Sequence, residues 1–309
     1  TFDLAVLASK KEFFFQRLSQ QGSYLNFTDN QQAFQLSSIR TNDTNFEIRL
    51  TSQSDGSEFF SWIAGIWYND SEKELLDLVY HAGDDASFFG LFDVSEGFVY
   101  RDAVEKEFNK ELAIYGEVAM HLTEQATLTL GYRRADVEVD RESLRSDGPL
   151  GTAVAAQIGL DQYTQEDVDT YKVNFEYTLS DDILLYALAA SGYRAGGFNV
   201  ANLHTAGVVP PYESDSLWNY EIGARTSWLD NRLIANAVVY LIDWEDMQLT
   251  KQIIDENGFT NATDNIGKAR VEGLELEVDY RLSEYLSFGV NYAYTDTTLE
   301  EDVPGENAF

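Results

Sequence analysis

The sequence is poor in the residues that build disulfides and metal centres. It has no cysteine, four prolines and three histidines among 309 residues. Without cysteine, neither a disulfide framework nor a thiolate metal site can form. His81, His121 and His204 lie far apart in the sequence, so we expect no dedicated zinc site and no cofactor. His121 falls on the polar face of a strand beside a short turn, which favours a hydrogen-bonded structural histidine.

Long apolar runs and cationic residues are also scarce. No uninterrupted apolar stretch reaches the ~18 residues of a transmembrane helix, and helical periodicity is absent from the long segments. Lysine and arginine total 21 against 53 aspartates and glutamates, which gives a formal net charge of −32. A nucleic-acid partner is therefore excluded, because binding phosphates requires a basic face. The acid excess suits solvated loops on a bacterial surface, but also a halophilic soluble protein or a protein with a cation-rich partner.

The sequence does show a strict alternation of apolar and polar residues. Across Tyr171–Leu179 (YKVNFEYTL), apolar and polar residues take turns, and this pattern is typical of a strand with one apolar and one polar face. Ser180–Asp182 predicts a turn, and Ile183–Ala190 predicts the return strand. The same unit recurs along the chain. By this phase Val173 and Leu276 face one environment, whereas Asn174 and Glu275 face the other.

The turns divide into two kinds. Short ones centre near Asp55, Glu124, Asp181, Asp230 and Ser283. Long loops are predicted at the opposite strand ends, and Asp255–Gly258 carries the Asn-Gly signal of a hairpin. The predicted long loops are Gly22–Asn30, Arg141–Asp167, Ala201–Ser214 and an excursion within Asn69–Asn109.

This asymmetry predicts an all-β fold, a transmembrane antiparallel β-barrel of the outer-membrane type with about eleven strands. Its apolar positions, Val173 and Leu276 among them, would face lipid, and its polar positions would face the lumen. The alternative is a soluble β-sandwich, propeller or solenoid, whose strands recur at about half this spacing. Aromatic residues near the strand ends fit the girdles of a membrane barrel. They are Trp228, Tyr280 and Tyr285 beside short turns, and Trp218 and Trp244 toward the long loops.

Several motifs resemble the TonB-dependent outer-membrane receptors. The most specific is Gly192–Asn199 (GYRAGGFN), which resembles the end of a barrel strand in that family. The resemblance covers nearly the whole chain and is most specific in its second half. The other matching stretches are Phe46–Ser52, Trp218–Gly223, Leu229–Leu233, Tyr240–Gln248, Asn265–Glu277 and Val290–Asp296.

The resemblance implies a barrel of about 22 strands closed by an N-terminal plug. Residues 1–309 would then be an internal part of a single barrel domain, roughly strands seven to seventeen. The implied location is the outer membrane of a Gram-negative bacterium, with lipid around the barrel. The implied activity is uptake of a scarce small molecule such as a ferric siderophore, energised by the TonB complex through a segment N-terminal to this chain. No catalysis is implied.

Two other functions stay open at this point. A passive, porin-like channel would lack the plug, and a membrane-embedded hydrolase would pair a serine or aspartate with a histidine at the outer rim. Arg194 is the candidate ligand-contact residue, because an arginine near the outer end of a strand can face an anionic chelate. The alternative for Arg194 is an ion pair with a lumen carboxylate such as Glu221 or Glu275.

The remaining candidates have structural interpretations. Gly192, Gly196 and Gly197 are expected to relieve crowding or permit bends, since no helix follows them to form a phosphate-binding loop. Asp84–Asp85 and Glu300–Asp302 could gather Ca²⁺, but neither matches the EF-hand spacing, so solvated loop charge is favoured.

Overall fold

The computed structural model describes residues 1–21, 32–53, 59–82, 98–147, 156–199, 210–255 and 258–300. Regular structure in these residues consists of β-strands, and none of them forms a helix able to cross a membrane. The strands are β1 (Phe2–Gln21), β2 (Gln32–Ser52), β3 (Phe60–Ala82), β4 (Phe98–His121), β5 (Ala126–Asp147), β6 (Ala156–Ser180), β7 (Ile183–Arg194), β8 (Asp215–Trp228), β9 (Leu233–Glu245), β10 (Gln248–Asp255), β11 (Gly258–Asn265), β12 (Ala269–Ser283) and β13 (Leu286–Leu299).

Eleven of these strands form one antiparallel sheet in the order β1-β2-β3-β4-β5-β6-β7-β8-β9-β12-β13. Neighbours in the sheet are neighbours in sequence, except that β9 pairs with β12. Between them, β10 and β11 pair only with each other and form what we call the outer hairpin. Its last pair is Asp255 with Gly258, so a hairpin forms within the predicted stretch, although Gly258 belongs to the strand pair and not to the residues between the strands. The predicted fold class, part of an antiparallel barrel with about eleven wall strands, is confirmed.

The strands have two distinct lengths. Strands β1 to β6 have 20 to 25 residues each. Strands β7, β8, β9, β12 and β13 have 12 to 15. The predicted excursion at Asn69–Asn109 is therefore wrong, because β3 continues to Ala82 and β4 begins at Phe98. The predicted loop Arg141–Asp167 is wrong for the same reason, since β5 ends at Asp147 and β6 begins at Ala156.

The two faces of the wall carry opposite chemistry. In β8, Trp218, Tyr220 and Ile222 are exposed, while the intervening Asn219 and Glu221 are partly sheltered. A soluble sandwich would bury the apolar set, so this alternation belongs to a membrane barrel wall. We call the apolar face outer and the opposite face inner. Val173 and Leu276 lie on the outer face, as predicted, and both are partly exposed.

A row of aromatic rings marks the upper limit of the apolar band. Tyr132 and Tyr171 have ring centroids 5.5 Å apart, and Tyr171 stacks on Trp218 at 6.4 Å. Trp218 in turn stacks on Tyr220 at 6.1 Å. Such rings are typical of a membrane interface. The predicted girdle position of Trp244 is wrong: its cross-strand partner is Leu217, which places it on the inner face.

Three tyrosines of the inner face lie over glycines of the neighbouring strand. A Cβ atom added to Gly65 would overlap the ring of Tyr115, and the same holds for Gly223 with Tyr186 and Gly273 with Tyr240. Each glycine stands directly opposite its tyrosine in the register. The ring thus covers backbone that has no side chain of its own. These pairs explain why glycine recurs within strands that otherwise disfavour it.

Candidate functional site

The candidate site begins where β7 separates from β6. Pairing between the two strands reaches Lys172 and Ala190 and goes no further, while β7 stays paired with β8 as far as Arg194. Above this point Tyr193–Asn199, which we call the inner segment, packs on the inner face of the longer strands. Phe198 is buried there, with Tyr193 and Ala195 beside it. The surface beneath it consists of Trp67, Ala113, Ala135, Val137 and Val139.

Close approach of two backbones explains the glycines of the inner segment. A Cβ atom on Gly196 would lie 2.6 Å from the carbonyl oxygen of Tyr212, and one on Gly197 would lie 2.5 Å from the Tyr212 hydroxyl. Gly197 also exchanges both backbone hydrogen bonds with Tyr212. A side chain on Gly196 would force the two backbones apart, whereas one on Gly197 would displace the Tyr212 ring. This agrees with the interpretation of these glycines from the sequence.

Arg141, on the inner face of β5, holds the inner segment against the wall. Its side chain is buried, and Nη1 donates a hydrogen bond of 2.5 Å to the carbonyl oxygen of Phe198. Nη2 donates to the carboxylate of Glu105, which is also largely buried. A buried guanidinium needs a charge partner and hydrogen bonds for its remaining protons, and it has both here.

Arg133 holds the inner segment at its first residue. It pairs with Glu111 and donates a 3.4 Å hydrogen bond to the hydroxyl of Tyr193, which itself donates to Glu111 at 2.9 Å. The Arg133 guanidinium also lies 5.4 Å from the centre of the Trp67 ring.

Arg194, the predicted ligand contact, lies on the inner face at the end of β7. Its Nε and Nη2 donate to one oxygen of Asp215 at 3.1 and 2.5 Å, and Nη2 also donates to the carbonyl oxygen of Gln248 at 3.1 Å. The guanidinium lies 5.4 Å from the Trp244 ring centre. Asp215 is 2% exposed, whereas the Arg194 side chain is 50% exposed. Its carboxylate partner is thus Asp215 rather than Glu221 or Glu275, and its role toward a ligand stays a prediction.

Near this ion pair β7 is no longer paired with β6. Three side-chain amides connect the neighbouring segments there by hydrogen bonds to backbone groups. Asn199, Gln248 and Asn265 all bond to backbone groups of the inner segment, of Pro210–Asp215 or of the outer hairpin. The sequence pattern did not single them out, nor Asp215 and Arg141. The available signal was the family resemblance, since Asn199 lies in GYRAGGFN, Gln248 ends the stretch Tyr240–Gln248 and Asn265 begins the stretch Asn265–Glu277.

The other predicted candidates do not join this site. His121 lies near a short turn, where its two ring nitrogens are each 3.2 Å from a hydroxyl, of Ser61 and of Thr127. Glu300 forms an ion pair of 3.0 Å with Arg270. Asp84, Asp85, His204, Glu301, Asp302 and the side chain of His81 lie outside the described residues. Among the residues that the structure describes, no group of three or more His, Asp or Glu side chains could hold a metal.

Comparison with known proteins identifies the family. Residues 2–308 match the family described as TonB dependent receptor-like, beta-barrel. The chain belongs to the TonB-dependent receptors. Their location, the outer membrane of Gram-negative bacteria, agrees with the outward apolar band and its ring row.

The curated relatives are also named as receptors. The pesticin receptors of Yersinia enterocolitica and Yersinia pestis are 28% identical over 181 residues, which is 58% of this chain and 25% of theirs. The chain thus spans a quarter of the length of the relatives that it matches.

Solved structures share the fold. The ferric yersiniabactin uptake receptor FyuA from Yersinia pestis has a TM-score of 0.77 at 20% identity, covering 98% of this chain and 41% of that one. The copper transporter OprC has a TM-score of 0.67 at 15% identity, with 96% and 44% covered. The ferripyoverdine receptor of Pseudomonas aeruginosa has 0.62 at 16%, with 97% and 39% covered. These relatives are receptors and transporters rather than enzymes, and at these identities they support the fold alone.

Proposed function

We propose that this TonB-dependent receptor takes up a scarce small molecule across the outer membrane, that TonB energises the uptake, and that the cargo is a ferric siderophore. The observation that carries the proposal is the family match over residues 2–308. The cargo class is proposed by analogy with structural relatives named as the ferric yersiniabactin uptake receptor and the ferripyoverdine receptor. We propose further that the chain is an internal part of one barrel domain whose plug and TonB-contact segment lie N-terminal to it.

Uptake of radioactive iron tests the cargo and the energy source separately. Cells lacking the full-length gene would be starved of iron and offered ⁵⁵Fe bound to yersiniabactin, pyoverdine, a catecholate siderophore or citrate. We expect the cells without the gene to lose uptake of one of these chelates, and to regain it when the gene is restored. The same uptake should stop in a strain without TonB. Uptake that continues without TonB would favour a passive channel instead.

We propose that Arg194 contacts the cargo. Half of its side chain is exposed on the inner face, and Nη1 is the guanidinium nitrogen without a hydrogen bond among the described residues. Asp215 and Trp244 orient the group, so a carboxylate or phenolate of a chelate could accept from Nη1.

Arg194→Ala is expected to weaken binding of the transported chelate by roughly tenfold or more, since a hydrogen bond to a charged group is worth ~1.5–3 kcal/mol. Arg134→Ala is the matched control. Arg134 also bonds to aspartates, Asp167 and Asp169, but it lies on the outer face. Equal affinities for the Arg194 variant and the wild-type receptor would remove Arg194 from the ligand site and leave the uptake proposal standing.

A further inference from the structure

The outer hairpin stands apart from the wall, yet its base is firmly attached. Its strands β10 and β11 pair only with each other, and it is inserted between β9 and β12. Met247 and Ile266, which flank its first and last residues, are buried, and so is Ala262, halfway along β11. A loop in contact only with water would not bury these side chains, so the base of the hairpin belongs to a small core above the membrane.

Asn199 joins the inner segment to the far strand of the hairpin. Its Oδ1 accepts from the Thr263 N–H at 2.6 Å, and its Nδ2 donates to the Thr263 carbonyl oxygen at 2.8 Å. The same Nδ2 donates to the carbonyl oxygen of Pro210 at 2.7 Å. Asn199 is only 7% exposed, so these bonds face little competition from water.

Gln248 joins the near strand of the hairpin to the wall. Its Nε2 donates to the carbonyl oxygens of Ala195 and Glu213 at 2.9 and 3.0 Å. Its backbone N–H donates to Asp215 at 3.1 Å, and its carbonyl accepts from Arg194. Through these bonds, the first residue of the hairpin belongs to the same network as the ion pair.

Asn265 closes the junction at the last residue of the hairpin. Its Oδ1 accepts from the Glu213 N–H at 2.6 Å, and its Nδ2 donates to the carbonyl oxygens of Glu213 and Asp246 at 2.9 Å each. Each of the three amides thus bonds to backbone on another segment in the way that a neighbouring strand would. Opening the hairpin would break all three sets at once and leave sheltered backbone groups unpaired.

We propose that the outer hairpin is a fixed wall above the lumen and not a lid, and that Asn199, Gln248 and Asn265 are the positioning residues that hold it in place. The hairpin, the inner segment and the Arg194–Asp215 pair then behave as one body. This inference rests on the junction itself and does not depend on the identity of the cargo.

Distances between spin labels test whether the hairpin is fixed. The chain has no cysteine, so labels within it attach only where cysteine is introduced. Asn261→Cys on the hairpin and Asp140→Cys on the outer face of β5 are both exposed sites. In the full-length receptor without cargo, we expect one narrow distance distribution. Adding Asn199→Ala should broaden it or add a second population. Two populations in the parent, or an unchanged distribution with Asn199→Ala, would overturn the proposal.

Amide hydrogen exchange gives a second measurement. It distinguishes the loss of the junction's hydrogen bonds from a general loss of stability. Exchange at Thr263 should be roughly tenfold faster or more in Asn199→Ala, because its N–H loses the acceptor. Asn199→Asp keeps that acceptor but sets its second oxygen against the carbonyl oxygens of Pro210 and Thr263, so exchange at Thr263 should stay fast if both halves of the amide hold the hairpin. Asn261→Ala, an exposed asparagine of the same hairpin, should change nothing at Thr263. If Asn199→Ala fails to fold, Gln248→Ala serves in its place, with faster exchange of the hairpin expected. Wild-type exchange rates in both variants would exclude the fixed-wall role.

Discussion

The strands on one side of the wall extend further above the membrane than those on the other. The two sides also build different structures there. On the longer side, β5 has 22 residues, about 70 Å at the usual rise of a strand, and continues well past Tyr132 of the ring row. On the shorter side, β8 has 14 residues, and Trp218 of the same row lies near its upper end. There the chain leaves the wall and builds the inner segment and the outer hairpin.

The chemistry of the outer face changes where the longer strands leave the membrane. In β5 the outward residues below the ring row are Leu128 and Leu130. Those above it are Arg134, Asp136, Glu138, Asp140 and Glu142, followed by Leu144. A strand in water needs no apolar outer face, so its ladder, its cross-strand side-chain pairs and its inner-face contacts with the inner segment sustain it. On the shorter side, the Arg194–Asp215 ion pair and the amide bonds take over that role.

The largest expected effect is the loss of a buried arginine above the membrane, compared with the loss of an exposed arginine there. Arg141→Met should lower the free energy of unfolding by about 3–5 kcal/mol, because Glu105 and the Phe198 carbonyl would lose their partner while buried. Urea unfolding of the full-length receptor in lipid vesicles measures this. Arg134→Met removes an exposed arginine that pairs with Asp167 and Asp169, so it should change little. Similar losses in both variants would show that the inner segment does not depend on Arg141.

A second prediction separates the membrane band from the part of the wall above it. Val173→Arg should cost about 2–4 kcal/mol if the site lies near the bilayer midplane, since a charge on the lipid face must leave water. Leu144→Arg also replaces an outward apolar side chain, but above the ring row, and should cost close to nothing. Asn174→Arg, on the inner face, should also be mild. The same vesicle titration applies, and equal costs for Val173→Arg and Asn174→Arg would reverse the assignment of the faces.

Alternation predicted the membrane band, because lipid outside and water inside impose period two on every strand there. It did not predict the upper halves of β3 to β6. Around Lys106–Lys110 (KEFNK) both faces are mostly polar, so no binary pattern distinguishes strand from loop. The junction escaped prediction for a different reason. Asn199 and Thr263 are 64 residues apart, and a side-chain amide that bonds to backbone leaves no periodic trace.

The smallest expected effect concerns the glycines of the two faces. Gly223→Ala should cost about 1–3 kcal/mol, because the new methyl group overlaps the Tyr186 ring on the inner face. Gly116→Ala is the control, since the nearest atom to its Cβ, the Ile63 carbonyl oxygen, is 3.6 Å away. That change should be neutral or slightly stabilising.

A double-mutant cycle tests whether crowding by the Tyr186 ring is the reason that Gly223→Ala lowers the stability. If the ring is what Gly223 accommodates, Tyr186→Ala combined with Gly223→Ala should cost less than the sum of the two single changes. The urea midpoints of the four proteins in lipid vesicles measure this coupling. Additive costs would mean that Gly223 is needed for its backbone and not for the ring above it. The inner-face tyrosines would then be placed by their hydroxyl bonds, as Tyr115 is by Glu47, and the glycines opposite them would need another explanation.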